Sequence, residues 1–161
     1  MRESGAALEA KLEITRSLNV VDLDCGDGPN AIPTVKLVSI VLGVDIAKNL
    51  VVAGNIRSKY EELTNCTFQE GDASDLHELK SQTFDLVIGG IFGAMFAEKP
   101  FVLAREIVRV MRPGERIVLG NRPPLRSDQG SANIKDQLCI LITTAGEFHW
   151  PEVVWSREQC Y

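Results

Sequence analysis

Histidine is almost missing from this chain: His77 and His149 are the only two in 161 residues, which leaves little material for a histidine base or a multi-histidine metal site. The four cysteines, Cys25, Cys66, Cys139 and Cys160, show no Cys-x-x-Cys spacing and are few for a disulfide scaffold, so they read as reduced thiols. Basic residues are outnumbered, 17 Lys and Arg against 22 Asp and Glu, for a net charge of −5. No general basic surface exists to bind a polyphosphate backbone, and nucleic acid is not the expected partner. No apolar run approaches the roughly 18 residues of a membrane span. The opening MRESGAALEAKLEI carries charges where a signal peptide needs an apolar stretch, so the expected compartment is the cytoplasm. No internal repeat or low-complexity segment is present.

What the chain does have is 45% hydrophobic residues in 161, one domain's worth of core. The expectation is a single domain with its core over about residues 18–121 and a divergent segment over 122–161. The most informative stretch is Val20 to Ala31, VVDLDCGDGPNA. A β-branched run ends in acidic residues, a cysteine and two closely spaced glycines, the pattern of a strand breaking into a ligand-binding turn and then a helix. Gly26 and Gly28 can take backbone angles forbidden to other residues and leave room for a ligand. A helix is predicted to start near Asn30, with Pro33 in its first turn and free N–H groups directed at whatever sits over the loop. By itself such a Gly-x-Gly is also compatible with a plain tight turn.

The following residues repeat the theme. Ile40–Ile46 (IVLGVDI) reads as a second buried strand, with Asp45 placed 17 residues beyond Gly28 at a strand end expected to be exposed. There a carboxylate could receive the two hydroxyls of a ribose. Cys66–Leu76 holds a third strand running into Gly71, Asp72 and Ala73, with Asp72 able to accept from an exocyclic amine. Phe84–Ile88 is a fourth strand, and Arg116–Leu119, entered through the turn Arg112-Pro113-Gly114, a fifth. Val52, Ile56, Tyr60 and Leu63 recur at helical spacing, as do Ala104, Ile107, Val108 and Met111. Alternating strands and helices imply an α/β fold with a doubly wound, mostly parallel sheet, whose ligands bind at the carboxyl ends of the strands. Gly26, Asp45, Asp72 and Gly89 all fall at such ends.

With Asp22-Leu23-Asp24-Cys25-Gly26-Asp27-Gly28, Gly43-Val44-Asp45-Ile46, Gly71-Asp72-Ala73-Ser74-Asp75-Leu76, Phe84-Asp85-Leu86-Val87 and Arg105 to Gly114 (REIVRVMRPG) in that order, the chain resembles the class I S-adenosylmethionine-dependent methyltransferases. The similarity runs from about Leu18 to Asn121 and is nearest the small-molecule branch of the ubiquinone and menaquinone biosynthesis type. It implies a Rossmann-like fold, S-adenosylmethionine as cofactor, and a binding set of Asp22, Asp24, Cys25, Gly26, Gly28, Asp45, Ile46, Asp72, Ala73 and Gly89. In that set the loop around Gly26 and Gly28 lies against the methionine part, Asp45 holds the ribose and Ile46 packs on adenine. Asp72 takes the adenine amino group with Ala73 beside it, Gly89 offers its carbonyl to the methionine amine, and Cys25 packs.

Three positions depart from the family pattern. Asp24 stands where a first glycine is usual, adding a negative charge close to where the cofactor carboxylate would lie, unless it turns away to cap the next helix. Glu115 replaces a glycine after Pro113-Gly114, and Gly90-Ile91 lengthen the segment after the fourth strand.

The remaining polar residues carry less. Cys25 has no histidine motif to make it a nucleophile, and Asp75 and Glu78 beside His77 would need a third ligand to hold a metal. A solvated helix start is the plainer reading of that trio. No catalytic or metal residue is assigned. Phe92, Met95 and Phe96, after the fourth strand, are equally candidates for the acceptor side or for the core. Ala6, Ala7, Leu8, Ala10, Leu12 and Ile14 suggest an N-terminal helix. Ile134–Thr144 fits either a helix or a buried strand, and Phe148–Trp155, interrupted by Pro151, an edge strand. About 40 residues after Asn121 leave scant room for the helix and antiparallel pair that complete the family fold. The resulting expectation is methyl transfer from S-adenosylmethionine to a small molecule. Because Gly26 to Ala31 also matches Gly-x-Gly-x-x-Ala, an NAD(P)-dependent oxidoreductase stays open, as does a non-catalytic relative.

Overall fold

Short β-branched runs bounded by turn residues become strands, and in the computed structural model, which describes residues 17–89, 100–121 and 139–144, six of them form one sheet. They are β1 (Asn19–Leu23), β2 (Ile40–Asp45), β3 (Cys66–Glu70), β4 (Phe84–Gly89), β5 (Met111–Asn121) and β6 (Cys139–Thr144), with helices α1 (Ala31–Val35), α2 (Lys48–Tyr60) and α3 (Pro100–Val110) between them. The spatial order is β3-β2-β1-β4-β5-β6. The first five strands are parallel and β6 runs antiparallel to β5, with Arg116 opposite Thr144 and Asn121 opposite Cys139. The order reverses between β1 and β4, where Leu23 pairs with Gly89, so the topological switch point lies beside the glycine loop.

Alternation along each strand divides the core in two. Val21, Leu23, Val44, Val87, Ile117 and Leu119 face α3. Val20, Val41, Phe68, Leu86, Ile88 and Val118 face α1 and α2. The helical spacing read at Ala104, Ile107 and Met111 corresponds to buried side chains. Met111 opens β5 instead of ending the helix. Arg112-Pro113-Gly114 is looped out as an irregularity between the Phe84–Met111 and Leu86–Arg116 pairs, with Gly114 at φ +80, so the fifth strand is longer than the four residues expected. Of the segment that fitted helix or strand, Cys139–Thr144 is strand. The expected N-terminal helix and the Phe148–Trp155 edge lie outside the described residues.

α2 reverses the sequence expectation. Val52, Ile56 and Tyr60, expected to face inward, are 50%, 63% and 88% exposed, and the helix instead buries Val51, Gly54 and Ser58. The physical reason is Phe68. Its ring fills the space under the helix, so that a Cβ on Gly54 would stand 2.8 Å from it, and Cβ atoms on Gly43 and Gly28 would stand 2.5 and 2.6 Å away. Only a helix face of small residues can lie over that ring. The same face carries polar groups to β3: Asn55 donates its amide to Phe68 O at 2.8 Å and accepts from Phe68 N at 3.1 Å, while the Ser58 hydroxyl donates to Cys66 O at 2.7 Å. Among the described residues no helix is long and apolar enough to cross a membrane.

Replacing an interior helical glycine by alanine ordinarily adds about 1 kcal/mol of stability. Here Gly54→Ala is expected to cost about 1–3 kcal/mol by overpacking against Phe68. In a Phe68→Ala background the same change becomes neutral or stabilising, a reversal readable by urea denaturation of the four proteins. A cost that is the same in both backgrounds would show that Phe68 does not set the helix face.

Candidate cofactor site

The loop between β1 and α1 is shaped by three residues in left-handed backbone: Asp24 (φ 53), Gly26 (φ 56) and Gly28 (φ 89). The two glycines differ in purpose. Gly28 is closed in by Phe68 and Ile32, whereas the nearest atom to a Cβ on Gly26 would be Pro29 Cδ at 3.9 Å, so the open side of the loop is at Gly26. Gly28 therefore serves core packing, not ligand clearance. Asn30 occupies the position before α1 as expected, but no side chain caps that helix; Asp24 does not cap it either.

Two side chains fix the loop from outside. Asp45 accepts from Gly26 N through Oδ2 and from Ala47 N through Oδ1, both at 2.8 Å. The exposed carboxylate expected at this strand end is in fact 8% exposed, because it bridges the glycine loop to the start of α2. On the far side Arg57 of α2 donates to Asp27 O at 2.8 Å and to Asp27 Oδ2 at 2.9 Å. Sequence reasoning missed Arg57: its partner is 30 residues away, and no local spacing marks the pair. The loop amides are largely occupied, Cys25 N bonding to Val44 O at 3.2 Å and Gly28 N to Cys25 O at 3.0 Å. The amides of Cys25, Gly26 and Gly28 are thus bonded within the protein.

The strand ends form an acidic row. Asp24 follows β1, Asp45 ends β2, and Asp72 follows β3 after Gly71, whose N–H bonds to Asp45 O at 3.0 Å. Asp72 is exposed and accepts from Ser74 N at 2.7 Å through Oδ1; Ala73 beside it is partly buried. Ile46 is 70% exposed, and Gly89 is buried with Leu119 Cδ2 where its Cβ would be, at 2.5 Å. A cavity of about 190 Å³ opens beside the row, lined by Val44, Gln69, Gly71, Asp72, Leu76 and Leu79 among others. Phe92, Met95, Phe96 and the Gly90-Ile91 extension lie outside the described residues.

Other motif residues are structural. Asp85 accepts from Asn19 N at 2.8 Å and pairs with Arg112. Glu106 and Arg109 of α3 clamp the segment after Asp72: Glu106 accepts from Leu76 N, and Arg109 donates to Leu76 O and Leu79 O at 2.7 and 2.8 Å. His77 is exposed, 3.0 Å from Asp75 Oδ1, on an irregular segment where a helix start was expected. Among the described residues no group of three potential ligands is placed to hold a metal.

Asp22 is the outlier. Its side chain alternates with Val21 and Leu23 and so faces the α1 side, fully buried, with neither oxygen hydrogen-bonded. Burial pushes its carboxyl up to about 8, the Ala31 amide moderates this, and the charges of Asp24 and Asp45 add to it. Burial, with the Asp45 and Asp72 charges, raises Asp24 to about 6. The Cys25 thiol is pushed far above the range of a nucleophile by burial and by Asp22 and Asp45, consistent with a packing role.

An acid whose pKa is raised on folding holds its proton in the native state after the unfolded chain has lost it, so stability falls as pH rises between the two values. For Asp22 that window runs from about 3.8 to about 8. The melting temperature of the wild type is expected to fall between pH 5 and pH 8, and Asp22→Asn is expected to flatten that fall. Parallel profiles for the two proteins would show that Asp22 is not the titrating group.

Comparison with known proteins places this geometry. Residues 20–114 match the model of the methyltransferase domain family. An uncharacterized protein of Mycobacterium tuberculosis is 33% identical over 117 residues, 73% of this chain and 42% of its own length. A 23S rRNA (uracil-C5)-methyltransferase of Legionella pneumophila is 28% identical, over 84% of this chain and 30% of its own length. A demethylmenaquinone methyltransferase of a Geobacillus strain is 26% identical, over 67% and 47%. This chain therefore matches less than half the length of each of these relatives. Among solved structures, an S-adenosylmethionine-dependent methyltransferase from Mesorhizobium loti superposes with a TM-score of 0.64 at 26% identity, covering 73% of this chain and 52% of that one. With its sheet order, its left-handed glycine loop and the match over residues 20–114, the chain belongs to the S-adenosylmethionine-dependent methyltransferase domain family.

Proposed function

We propose that this chain binds S-adenosylmethionine across the carboxyl ends of β1 to β4 and directs its methyl group to a small-molecule acceptor. The observation that carries the reading is Gly26: left-handed, open on its outer face, tied by Asp45 and adjacent to the switch point. Both oxygens of Asp45 already accept a backbone N–H, and each keeps a lone pair for a ribose hydroxyl. Ile46 offers an exposed apolar surface to adenine. Asp72, with Oδ1 on Ser74 N, has Oδ2 to accept from the adenine amino group, next to Ala73. Gly89 brings a backbone carbonyl to the switch point, and Asp22 lies buried beneath the loop.

The cofactor supplies an electrophilic methyl on a sulfonium. The chain's own part is to hold acceptor and methyl in line and keep water out, so no obligatory base is needed. The net charge of −5 favours a small acceptor over RNA, even though one similar protein is an rRNA methyltransferase.

Calorimetric titration of the full chain is expected to show binding of S-adenosylmethionine or S-adenosylhomocysteine in preference to NAD; binding of NAD alone would replace this reading by the oxidoreductase one. Asp45→Ala removes a charged acceptor and should weaken cofactor binding by about 1.5–3 kcal/mol. Because Asp45 also staples the loop, the variant should melt at a lower temperature. An unchanged dissociation constant in the folded variant would remove Asp45 from the ribose site.

A further inference from the structure

Resting on the adenosyl reading above, we infer that the tail end of this site selects an adenosyl sulfur ligand that carries an amine and no carboxylate, with Asp24 as the residue that sets this preference. A ligand carboxylate needs donors, and three of the loop's amides are already bonded within the protein. Gly26 N is bonded to Asp45, Gly28 N to Cys25 O and Cys25 N to Val44 O. The cation held against the loop, Arg57, is paired with the carboxylate and carbonyl of Asp27. Asp24 then adds a partly buried carboxylate at the same strand end, in the field of Asp45 on β2 and Asp72 beyond β3. Its burial raises it to about 6, which leaves it charged at neutral pH.

A second observation points the same way. The Asp22 carboxyl beneath the loop is fully buried, with neither oxygen bonded to a cation, and burial together with Asp24 and Asp45 holds it largely protonated, so no positive charge lies there to receive an anion. The carboxylates of Asp24, Asp45 and Asp72 at neighbouring strand ends repel a second anion and attract an ammonium. A zwitterionic aminocarboxypropyl tail meets both effects; an aminopropyl tail meets only the favourable one. Asp24 stands in left-handed backbone, which glycine adopts most readily and asparagine tolerates as aspartate does, so either can replace it without a change of loop shape.

The test measures equilibrium binding of three thioethers with the same adenosine: S-adenosylhomocysteine, its decarboxylated analogue with a 3-aminopropyl tail, and 5′-methylthioadenosine, whose tail is uncharged. Wild-type protein at pH 7.5 is expected to bind the aminopropyl compound at least roughly tenfold more tightly than S-adenosylhomocysteine. The ratio should shrink at high salt. Asp24→Asn keeps the shape and tolerates left-handed backbone; it should bring that ratio roughly tenfold toward S-adenosylhomocysteine and leave 5′-methylthioadenosine within about twofold. Asp24→Gly should move the ratio the same way. Tightest binding of S-adenosylhomocysteine by the wild type, or a ratio that neither variant alters, overturns the inference and leaves the adenosyl reading standing. Binding of none of the three overturns both.

Discussion

The Asp45 carboxylate is the interaction on which the site depends. One oxygen holds Gly26 of the β1 loop and the other holds Ala47 at the entry to α2, so a single side chain fixes two backbone segments that belong to different βα units. An ionised acceptor of two N–H groups is stronger than either neutral bond would be, and burial keeps it from exchange with water. Because Asp45 ends β2 between β1 and β3, it stands at the middle of the acidic row.

Below that residue, the packing is organised around an aromatic ring, not around the apolar stripe of a helix. Phe68 occupies the volume left by Gly28, Gly43 and Gly54. Gly28 thereby ties the loop to the core. The glycine-rich loop is held down from beneath by Phe68, from the side by Arg57 and from the neighbouring strand by Asp45.

Much of the architecture is legible in the sequence, because buried parallel strands are short apolar runs and their ends carry small or acidic residues. The first four strands, the loop and the carboxyl-end placement of Asp45, Asp72 and Gly89 follow from that pattern. What it hides is direction. Val52, Ile56 and Tyr60 have the spacing of a core face, yet the face that packs is Val51, Gly54 and Ser58, since periodicity counts hydrophobic residues and takes no account of a bulky ring opposite. Burial of Asp45 and the Arg57–Asp27 pair are equally invisible, being contacts between residues far apart in sequence. Motif order gives the candidate positions at the strand ends; it does not give their hydrogen-bond states, which depend on contacts across the fold.

The side chains that α2 lends to β3 have a consequence for how the protein can meet others. Val41 N–H bonds to Asn65 O and Gly71 N–H to Asp45 O, so the odd-numbered residues of this outer strand turn toward β2 and Cys66, Phe68 and Glu70 turn outward. Asn55 takes both main-chain groups of Phe68 and Ser58 takes the carbonyl of Cys66. A strand end of a sheet normally offers these groups as a template for another polypeptide. Here the Phe68 groups and the Cys66 carbonyl are already occupied by the protein's own helix, so the middle of the β3 margin is withdrawn from strand addition and from the edge-to-edge aggregation that exposed strands invite. An association centred on Phe68 must then be made by side chains, without main-chain pairing to a guest strand.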